Sequence, residues 1–398
     1  MALVAILIQS ASLFRNFPSN PACGRVLNVF ANLNVLINCD SAVFMKDAQN
    51  PSRLFNGDSV YQDRPAHALF AWIMSNFLKV IGFPNSSQEI VGNSGESTIY
   101  QSAFYFSFLS LNLLILLVAI KLAIDYVFPD SHERKIFSNA SSILLIVFLV
   151  AGNELTKTFF WTPHSQMLNL LLPVLALVLI SNREKINSFR VFLSLTVGLV
   201  FLMFFYPLFG ILFSILVYGP YSKFWKRTLI ISTVLFGYLL YPRFLEYLGG
   251  SYSNYAISNF RQYVWIVDAF KQGNIFDRSI SNLWSFLSTF PVIPTVLIFI
   301  TVVLAFGIAS TFGENRFRII SEAAPYLFFL AIYLTALFTM GFYARRLTLG
   351  PFIFLELFIL RMGITLTGYH FTKLRLLAIN SLLILLIISW VWTNGPLE

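Results

Sequence analysis

The sequence is poor in charged side chains. Asp, Glu, Lys and Arg make up only 11% of its 398 residues, whereas soluble domains carry about 25%. With 57% hydrophobic residues and a mean hydropathy of +0.73, the chain has too few charges to solvate the surface of a soluble protein of this length. The apolar residues also occur in long runs. We therefore predict a polytopic membrane protein and exclude a disordered chain, a secreted disulfide scaffold and a nucleic-acid-binding domain.

Cysteine and histidine are also scarce. The two cysteines, Cys23 and Cys39, form neither a CxxC pair nor a metal-ligand spacing, and four scattered histidines argue against a metal centre built from imidazoles. The sequence contains no GxxxxGK[ST] loop, no GxGxxG at a strand–helix junction and no HExxH. The usual motifs for nucleotide binding and zinc-dependent proteolysis are therefore absent from the sequence.

Runs of apolar residues predict the membrane crossings, since a spanning helix needs about 20 mostly apolar residues. The apolar runs on either side of Pro207 form one kinked helix or two short helices that turn at Tyr206-Pro207. We predict an all-α integral membrane protein with a single transmembrane domain over 1–398, a polytopic bundle of about 10–12 helices. The candidate spans lie near 1–14, 66–83, 101–126, 137–152, 166–181, 190–205, 207–219, 228–242, 290–311, 322–342, 347–362 and 374–393.

Two long polar stretches interrupt this pattern, at 15–65 and 243–289. Compact helical bundles usually connect their helices briefly, so we predict that both stretches are extramembrane loops. The first should carry surface helices and a function. The second is either a lid over a substrate cleft or an amphipathic interfacial helix around Phe260 to Phe270.

The net charge of +9 reflects Lys and Arg in short loops. Four basic loops fall on one face of the bundle if the chain turns at Pro207, and the positive-inside rule makes that face cytoplasmic. This topology places 153–165 and 243–289 outside. Counting back through every candidate crossing, however, places 15–65 in the cytoplasm, which conflicts with an external functional loop. The sidedness of 15–65 therefore stays open between these topologies.

The densest polar cluster runs from Cys39 to Pro65, where apolar residues interleave with the charges. That spacing is typical of a helix that lies on the membrane surface rather than crossing it. We expect Asp40 to cap this helix at its N-terminus. Asp47 should lie two turns further along the same face.

Two segments of this cluster are similar to parts of a known superfamily. Asp40-Ser41-Ala42-Val43-Phe44 resembles the acidic opening of the first extracytoplasmic loop in the GT-C superfamily, and Arg64-Pro65-Ala66-His67-Ala68-Leu69 resembles the exit of that loop into the second helix. The superfamily consists of polyprenyl-phosphate-sugar-dependent membrane glycosyltransferases, among them protein O-mannosyltransferases, lipid A aminoarabinose transferases and actinobacterial arabinofuranosyltransferases. The resemblance covers roughly the first 85 residues and the helix count. It implies sugar transfer from a lipid phosphate.

The chemistry of such a transfer suits the acids and arginines of the sequence. Asp40 is the candidate catalytic residue, as a general base for the acceptor hydroxyl or as the anchor of a divalent cation such as Mg²⁺ or Mn²⁺. Arginine best stabilises a leaving phosphate because it donates two hydrogen bonds at once. The candidate phosphate contacts are Arg64, Arg345 and Arg346, and no acidic residue lies close to the last two in sequence except Glu356.

Further substrate-binding candidates come from two loops. Asp47 and Asp58 lie in the first polar stretch. Glu154, Trp161 and His164 lie in 153–165, where aromatic faces and hydrogen-bonding groups suit a sugar. The plainer interpretations are a Glu154–Lys157 pair on a helix face and an interfacial aromatic belt.

We therefore expect a membrane glycosyltransferase that moves a sugar from a polyprenyl-phosphate donor to an extracytoplasmic acceptor. The acceptor is a cell-envelope glycan, lipid or protein, and the expected location is a prokaryotic plasma membrane with the site facing the exterior. Membrane lipids are expected partners and nucleic acids are not. The alternatives are a transporter or flippase for a lipid-linked substrate, which would place its site at the bilayer midplane, and a non-catalytic subunit of a membrane complex.

Overall fold

Helices dominate the part of the chain that the structure, a computed structural model, describes. That part comprises residues 2–11, 25–30, 33–37, 39–83, 85–91, 97–129, 140–217, 224–252, 262–290 and 316–367. The helices of its first half are α1 (Ala2–Ala11), α2 (Cys39–Gln49), α3 (Pro65–Val80), α4 (Ser102–Val127), α5 (Ala140–Ala151), α6 (Glu154–Phe159) and α7 (Leu168–Ser181). Those of its second half are α8 (Phe189–Met203), α9 (Phe213–Val217), α10 (Phe224–Leu239), α11 (Tyr241–Tyr247), α12 (Val264–Lys271), α13 (Ile275–Ser288), α14 (Arg316–Met340) and α15 (Arg345–Thr367).

Three helical stretches are long and apolar enough to cross a membrane. They are Ser102–Val127, Phe224–Tyr247 and Ser321–Met340. The apolar helices Ser165–Ser181, Phe189–Met203 and Pro207–Val217 are shorter. The prediction of a helical protein with membrane-spanning helices is thus confirmed in this coarse form. The described residues supply three spans of full length against the ten to twelve predicted. The candidate at 374–393 and all of 290–311 except Phe290 lie outside them.

Short 3-10 helices connect several of these elements. They cover Pro51–Leu54, Ser165–Met167, Lys185–Asn187 and Pro207–Leu212. The last begins at Pro207, and α9 then packs back against α8. Of the two interpretations of 190–219, the structure therefore has two short helices with a turn, because proline cannot continue the hydrogen-bond ladder of α8.

Two β-hairpins were absent from the all-α prediction. Strands β1 (Arg25–Phe30) and β2 (Leu33–Ile37) pair antiparallel with Arg25 opposite Ile37. Strands β3 (Ser87–Val91) and β4 (Ser97–Gln101) pair with Ser87 opposite Gln101. The first hairpin lies in 15–65, where surface helices alone were expected. Valine, leucine and isoleucine recur in its strands, and β-branched residues favour the extended backbone.

The core surrounds α4, which packs against α3, α5, α7 and α15. A separate apolar cluster lies where α2 meets α3 and α4, and Phe44, Met45 and Ala48 of α2 are completely buried in it. The apolar face of this helix is therefore covered by protein and is not free to face lipid. Asp40 is not the cap of this helix, since the helix begins at Cys39 and Asp40 falls in its first turn.

Candidate functional site around Asp40

The Asp40 carboxylate and the His164 ring form the centre of a polar cluster. His164 Nε2 lies 3.2 Å from Asp40 Oδ2, although the two residues are 124 positions apart. The backbone N–H of Gln166 donates to His164 Nδ1 at 3.1 Å. Nδ1 therefore carries no proton, and the Nε2–H group donates to Asp40. A neutral imidazole thus holds the carboxylate in place.

The local sequence explains this meeting of α2 with the start of α7. Asp40 stands in the first turn of α2, where the unpaired backbone N–H groups favour an acid. His164 follows Pro163 and has an extended backbone, from which its ring caps the 3-10 helix Ser165–Met167. That cap turns the imidazole inward, towards Asp40.

The two side chains differ in their contact with water. The Asp40 side chain is 39% exposed, whereas that of His164 is 2% exposed. Burial lowers the pKa of His164 to about 4, so the ring is neutral at physiological pH. The hydrogen bond from His164 lowers the pKa of Asp40 by more than burial raises it, and Arg346 adds to the effect. Asp40 is therefore an ionised carboxylate that solvent or a ligand can reach.

Arg346 places a cation close to this carboxylate. Its Nη2 atom lies 3.9 Å from Asp40 Oδ2. Asn169 Nδ2 donates to the Arg346 carbonyl oxygen at 2.8 Å, which ties the first turn of α15 to α7. Arg346 Nε is buried and has no hydrogen-bond partner in the described part of the chain. A buried donor without a partner costs about 1–3 kcal/mol, so an anion bound here would remove that cost.

Tyr61 and Arg64 close the cluster on the side of α3. The Tyr61 hydroxyl interacts with Asp40, and burial together with the Asp40 charge raises the pKa of this phenol. Arg64, at the N-cap of α3, donates to Ser165 Oγ at 3.1 Å and to the Asp63 carboxylate at 3.3 Å. Its guanidinium group also lies 5.1 Å from the ring centre of Tyr61, a cation–π contact that favours a fixed guanidinium plane.

Glu154 and Arg345 form a second ion pair in the same region. Arg345 Nη2 donates to Glu154 Oε2 at 2.9 Å, and Arg345 Nε lies 2.9 Å from Glu154 Oε1. Burial raises the pKa of Glu154 while Arg345 opposes that rise. The sequence left Arg345 without a nearby anion. Folding supplies one from the start of α6, 191 positions away.

Phe44 packs against the two rings that contact Asp40, those of Tyr61 and His164. Its ring stacks on Tyr61 with 4.2 Å between centroids and an interplanar angle of 2°. Its edge contacts His164 at 5.4 Å. The His67 and Phe108 rings pack around the same phenyl group. Phe44 follows Asp40 by one helical turn, so one helix carries the carboxylate and the support for its neighbours.

Three predicted site residues lie elsewhere. Asp47 is completely buried, accepts from Arg53 Nε at 3.1 Å and also bonds to Ser59. Asp58 is exposed, and its backbone oxygen accepts from Arg53. The Trp161 indole N–H donates to the Gln9 oxygen of α1 at 3.0 Å. The contacts of Asp47 and Asp58 stabilise the loop after α2, and that of Trp161 holds α1 in place.

Three residues of the cluster, Tyr61, Ser165 and Tyr206, were not among the predicted site residues. Ser165 receives the hydrogen bond from Arg64, and its position next to His164 was the only hint. The Tyr206 ring lies 5.9 Å from the Arg64 guanidinium group, and its hydroxyl donates to Gln166 Oε1 at 3.4 Å. The sequence marked Tyr206 only as a turn residue, so its role depends on the fold-back at Pro207.

The residues around Asp40 do not suit a divalent cation. No group of three or more His, Cys, Asp or Glu side chains is placed to hold a metal ion among the described residues. Within the described part of the chain, Asp40 is the one carboxylate that contacts His164, Tyr61 and Arg346, and these groups are hydrogen-bond donors and a cation. Mg²⁺ and Mn²⁺ need several oxygen ligands. The donor set therefore fits an anionic or hydroxylic ligand better than a metal.

Comparison with known proteins gives no match. No protein-family model, no curated protein and no solved structure resembles this chain closely enough to count as one. Inferences about its function therefore depend on the geometry around Asp40.

Proposed function

We propose that the chain is a membrane glycosyltransferase of the GT-C type. In this proposal a bundle of about ten to twelve helices holds the Asp40 site at its external surface. The enzyme moves a sugar from a polyprenyl-phosphate donor to a cell-envelope glycan, lipid or protein. The observation that carries the proposal is one ionised, solvent-accessible carboxylate within 3.9 Å of an arginine that has a buried, unpaired donor.

The reaction needs a proton acceptor and a stabilised leaving group. The acceptor hydroxyl oxygen forms a bond to the anomeric carbon, the bond from that carbon to the phosphate oxygen breaks, and the electron pair leaves with polyprenyl phosphate. Asp40 takes the hydroxyl proton. Its low pKa makes it a weak base, so the proton transfer belongs late in the step, when the donor bond has lengthened and the hydroxyl has become acidic.

Arg346, beside Asp40, and Arg64, beside Tyr61, take the phosphate in this scheme. Arg346 offers its unpaired Nε and its nearby Nη2. Arg64 is held by Asp63 and Ser165 and adds positive charge beside Tyr61. Charge-assisted hydrogen bonds from guanidinium groups suit a phosphate that gains charge as the sugar leaves. Arg345 is already paired with Glu154 and supports the chain next to Arg346.

A donor panel tests the proposal directly. Purified protein in nanodiscs would be given polyprenyl-phosphate sugars together with membrane-derived acceptors, and mass spectrometry would follow released polyprenyl phosphate. We expect release with at least one sugar, and a rate of release lower by about 10²-fold or more with Asp40→Asn. A protein that carries the intact donor across a liposome membrane without releasing phosphate would instead be a flippase. Inactivity with every donor and acceptor would contradict the transferase.

A further inference from the structure

Helix α13 has an exposed apolar stripe. The stripe follows helical spacing, with residues three or four positions apart, and therefore covers one face. Its side chains are exposed by 43 to 74% although all are large and apolar. The members are Phe276, Ile280, Leu283, Trp284 and Leu287.

A second stripe on the same helix is polar and exposed. It lies beside the apolar stripe and contains Asp277, Arg278, Ser281, Ser285 and Ser288. The third side of the helix faces the protein, where Phe286 is buried against Phe338 and Tyr343. One helix thus has a side for protein, an apolar exposed side and a polar exposed side.

Helix α12 joins α13 through a tight turn and extends the exposed apolar surface. Gly273 has a φ of +67° in that turn, which favours glycine. Val267 and Phe270 of α12 are exposed. Trp265 is buried, and its indole N–H donates to the Thr339 oxygen at 2.9 Å. We call 264–288 the interfacial hairpin.

We propose that the interfacial hairpin lies in the surface of the lipid bilayer, with its apolar stripe among the acyl chains and its polar stripe in water. The alternation of an apolar and a polar stripe on an exposed helix is typical of this position. Helix α13 rests on α14, which contains the candidate span Ser321–Met340 and exposes Leu327 and Phe328. Lipid that covers that span continues onto the stripe.

The charges of the hairpin indicate which interaction binds it to lipid. Asp268 and Asp277 balance Lys271 and Arg278, so the segment carries no net charge. Apolar insertion rather than attraction to anionic headgroups therefore holds it in the bilayer. The hairpin should therefore take the same position in bilayers of neutral and of anionic lipid.

The hairpin is fastened next to the Asp40 site. Thr348 Oγ1 donates to the Thr289 oxygen at 3.0 Å, and the Tyr263 N–H donates to the Met340 oxygen at 3.1 Å. The first bond connects the residue after the hairpin to α15, two positions beyond Arg346, and the second connects the residue before the hairpin to the end of α14. If the proposed function holds, on which this one step depends, a lipid-linked donor reaches Arg346 from the side of the hairpin.

Spin labels on α13 test the position of the hairpin without any activity measurement. Single cysteines would replace Ile280 or Leu283 on the apolar stripe, and Ser281 or Ser285 on the polar stripe, in a chain whose Cys23 and Cys39 are changed to serine. The labelled proteins would be placed in neutral phosphatidylcholine nanodiscs. Collisions with oxygen, which concentrates in lipid, and with a water-soluble nickel chelate would then be measured.

We expect the labels at 280 and 283 to collide mainly with oxygen and those at 281 and 285 mainly with nickel. Equal access of nickel to all four positions would overturn the proposal, because the stripe would then lie in water. Labels at 280 and 283 that neither reagent reaches would also overturn it, because a protein partner would then cover the stripe. As a control for folding, the chain with Cys23 and Cys39 changed to serine should have the same unfolding temperature as the natural sequence. None of these outcomes depends on sugar transfer.

Discussion

The two ends of α2 carry the same acidic residue in opposite surroundings. Asp47 is completely buried, and Arg53 and Ser59 bind it. Asp40 is 39% exposed, receives a hydrogen bond from neutral His164 and lies 3.9 Å from Arg346. Burial raises the pKa of Asp47, whereas the hydrogen bond from His164 lowers that of Asp40. The sequence predicted only that these acids share one face of the helix, and their neighbours in the structure separate a structural acid from an accessible one.

The largest difference between the two acids should appear on replacement by asparagine. Asp40→Asn keeps the volume and removes the proton acceptor, so sugar transfer should fall by about 10²-fold or more with the fold intact. Asp47→Asn leaves Arg53 without a charged partner and should lower the free energy of unfolding by about 1–3 kcal/mol. Transfer rates per folded molecule and thermal unfolding measure both effects. Equal transfer rates for Asp40→Asn and Asp47→Asn would contradict the assignment of one acid to catalysis and the other to structure.

The same contrast extends to the neighbouring arginines. Lysine keeps the charge but loses the second donor, so Arg346→Lys should weaken donor binding by about 1.5–3 kcal/mol, roughly ten- to a hundredfold. Arg345→Lys should mainly affect stability, because Arg345 already binds Glu154. Donor affinity separates the two variants. If Arg345→Lys lowered donor affinity more than Arg346→Lys did, the phosphate would bind beside Glu154 rather than beside Asp40.

The pH dependence of stability should single out the Asp40 end of α2. Burial lowers the pKa of His164 from 6.5 to about 4, so between these values the unfolded chain binds a proton that the folded chain does not. Stability from this residue is therefore lost as the pH falls, by about 1.4 kcal/mol per pH unit at most. His164→Gln keeps a donor for Asp40 and does not titrate. The difference in unfolding temperature between the natural sequence and His164→Gln should change between pH 6.5 and 4, and a constant difference would contradict a buried neutral ring.

A smaller effect should distinguish two buried neighbours in the middle of α2. Phe44 supports Tyr61 and His164, whereas Met45, which is also completely buried, stacks on neither ring. Phe44→Leu should lower the rate of transfer by about three- to tenfold, since a ring contact is worth about 0.5–1.5 kcal/mol. KM for the donor should hardly change. Met45→Leu is the control, and an equal loss of rate in that variant would reduce Phe44 to a packing role.

Much of the site could be predicted from residue chemistry, and its assembly could not. Acids and arginines between apolar runs are costly unless they have a use, which is why Asp40, Arg64 and Arg346 stood out. Their partners depend on contacts across the whole chain: His164 lies 124 positions from Asp40, and Glu154 lies 191 from Arg345. No local pattern encodes such distances.

The fold shows the same division between local and long-range information. The long apolar run of α4 and the proline turn at Pro207 are local signals, and the structure has both elements. The burial of α2 was missed, because Phe44 and Ala48 at helical spacing suit a lipid surface as well as a protein core. Only the partners in α3 and α4 decide between these surroundings.

The most direct test of the account follows the phosphate of polyprenyl phosphate by phosphorus NMR in nanodiscs. The natural sequence should shift and broaden the phosphate signal, and Arg346→Gln should largely abolish this change. Arg243→Gln is the matched control, because that arginine is 79% exposed and paired with Glu246; it should leave the change intact. An unchanged signal with Arg346→Gln, or an equal loss with Arg243→Gln, would contradict a lipid phosphate bound beside Asp40.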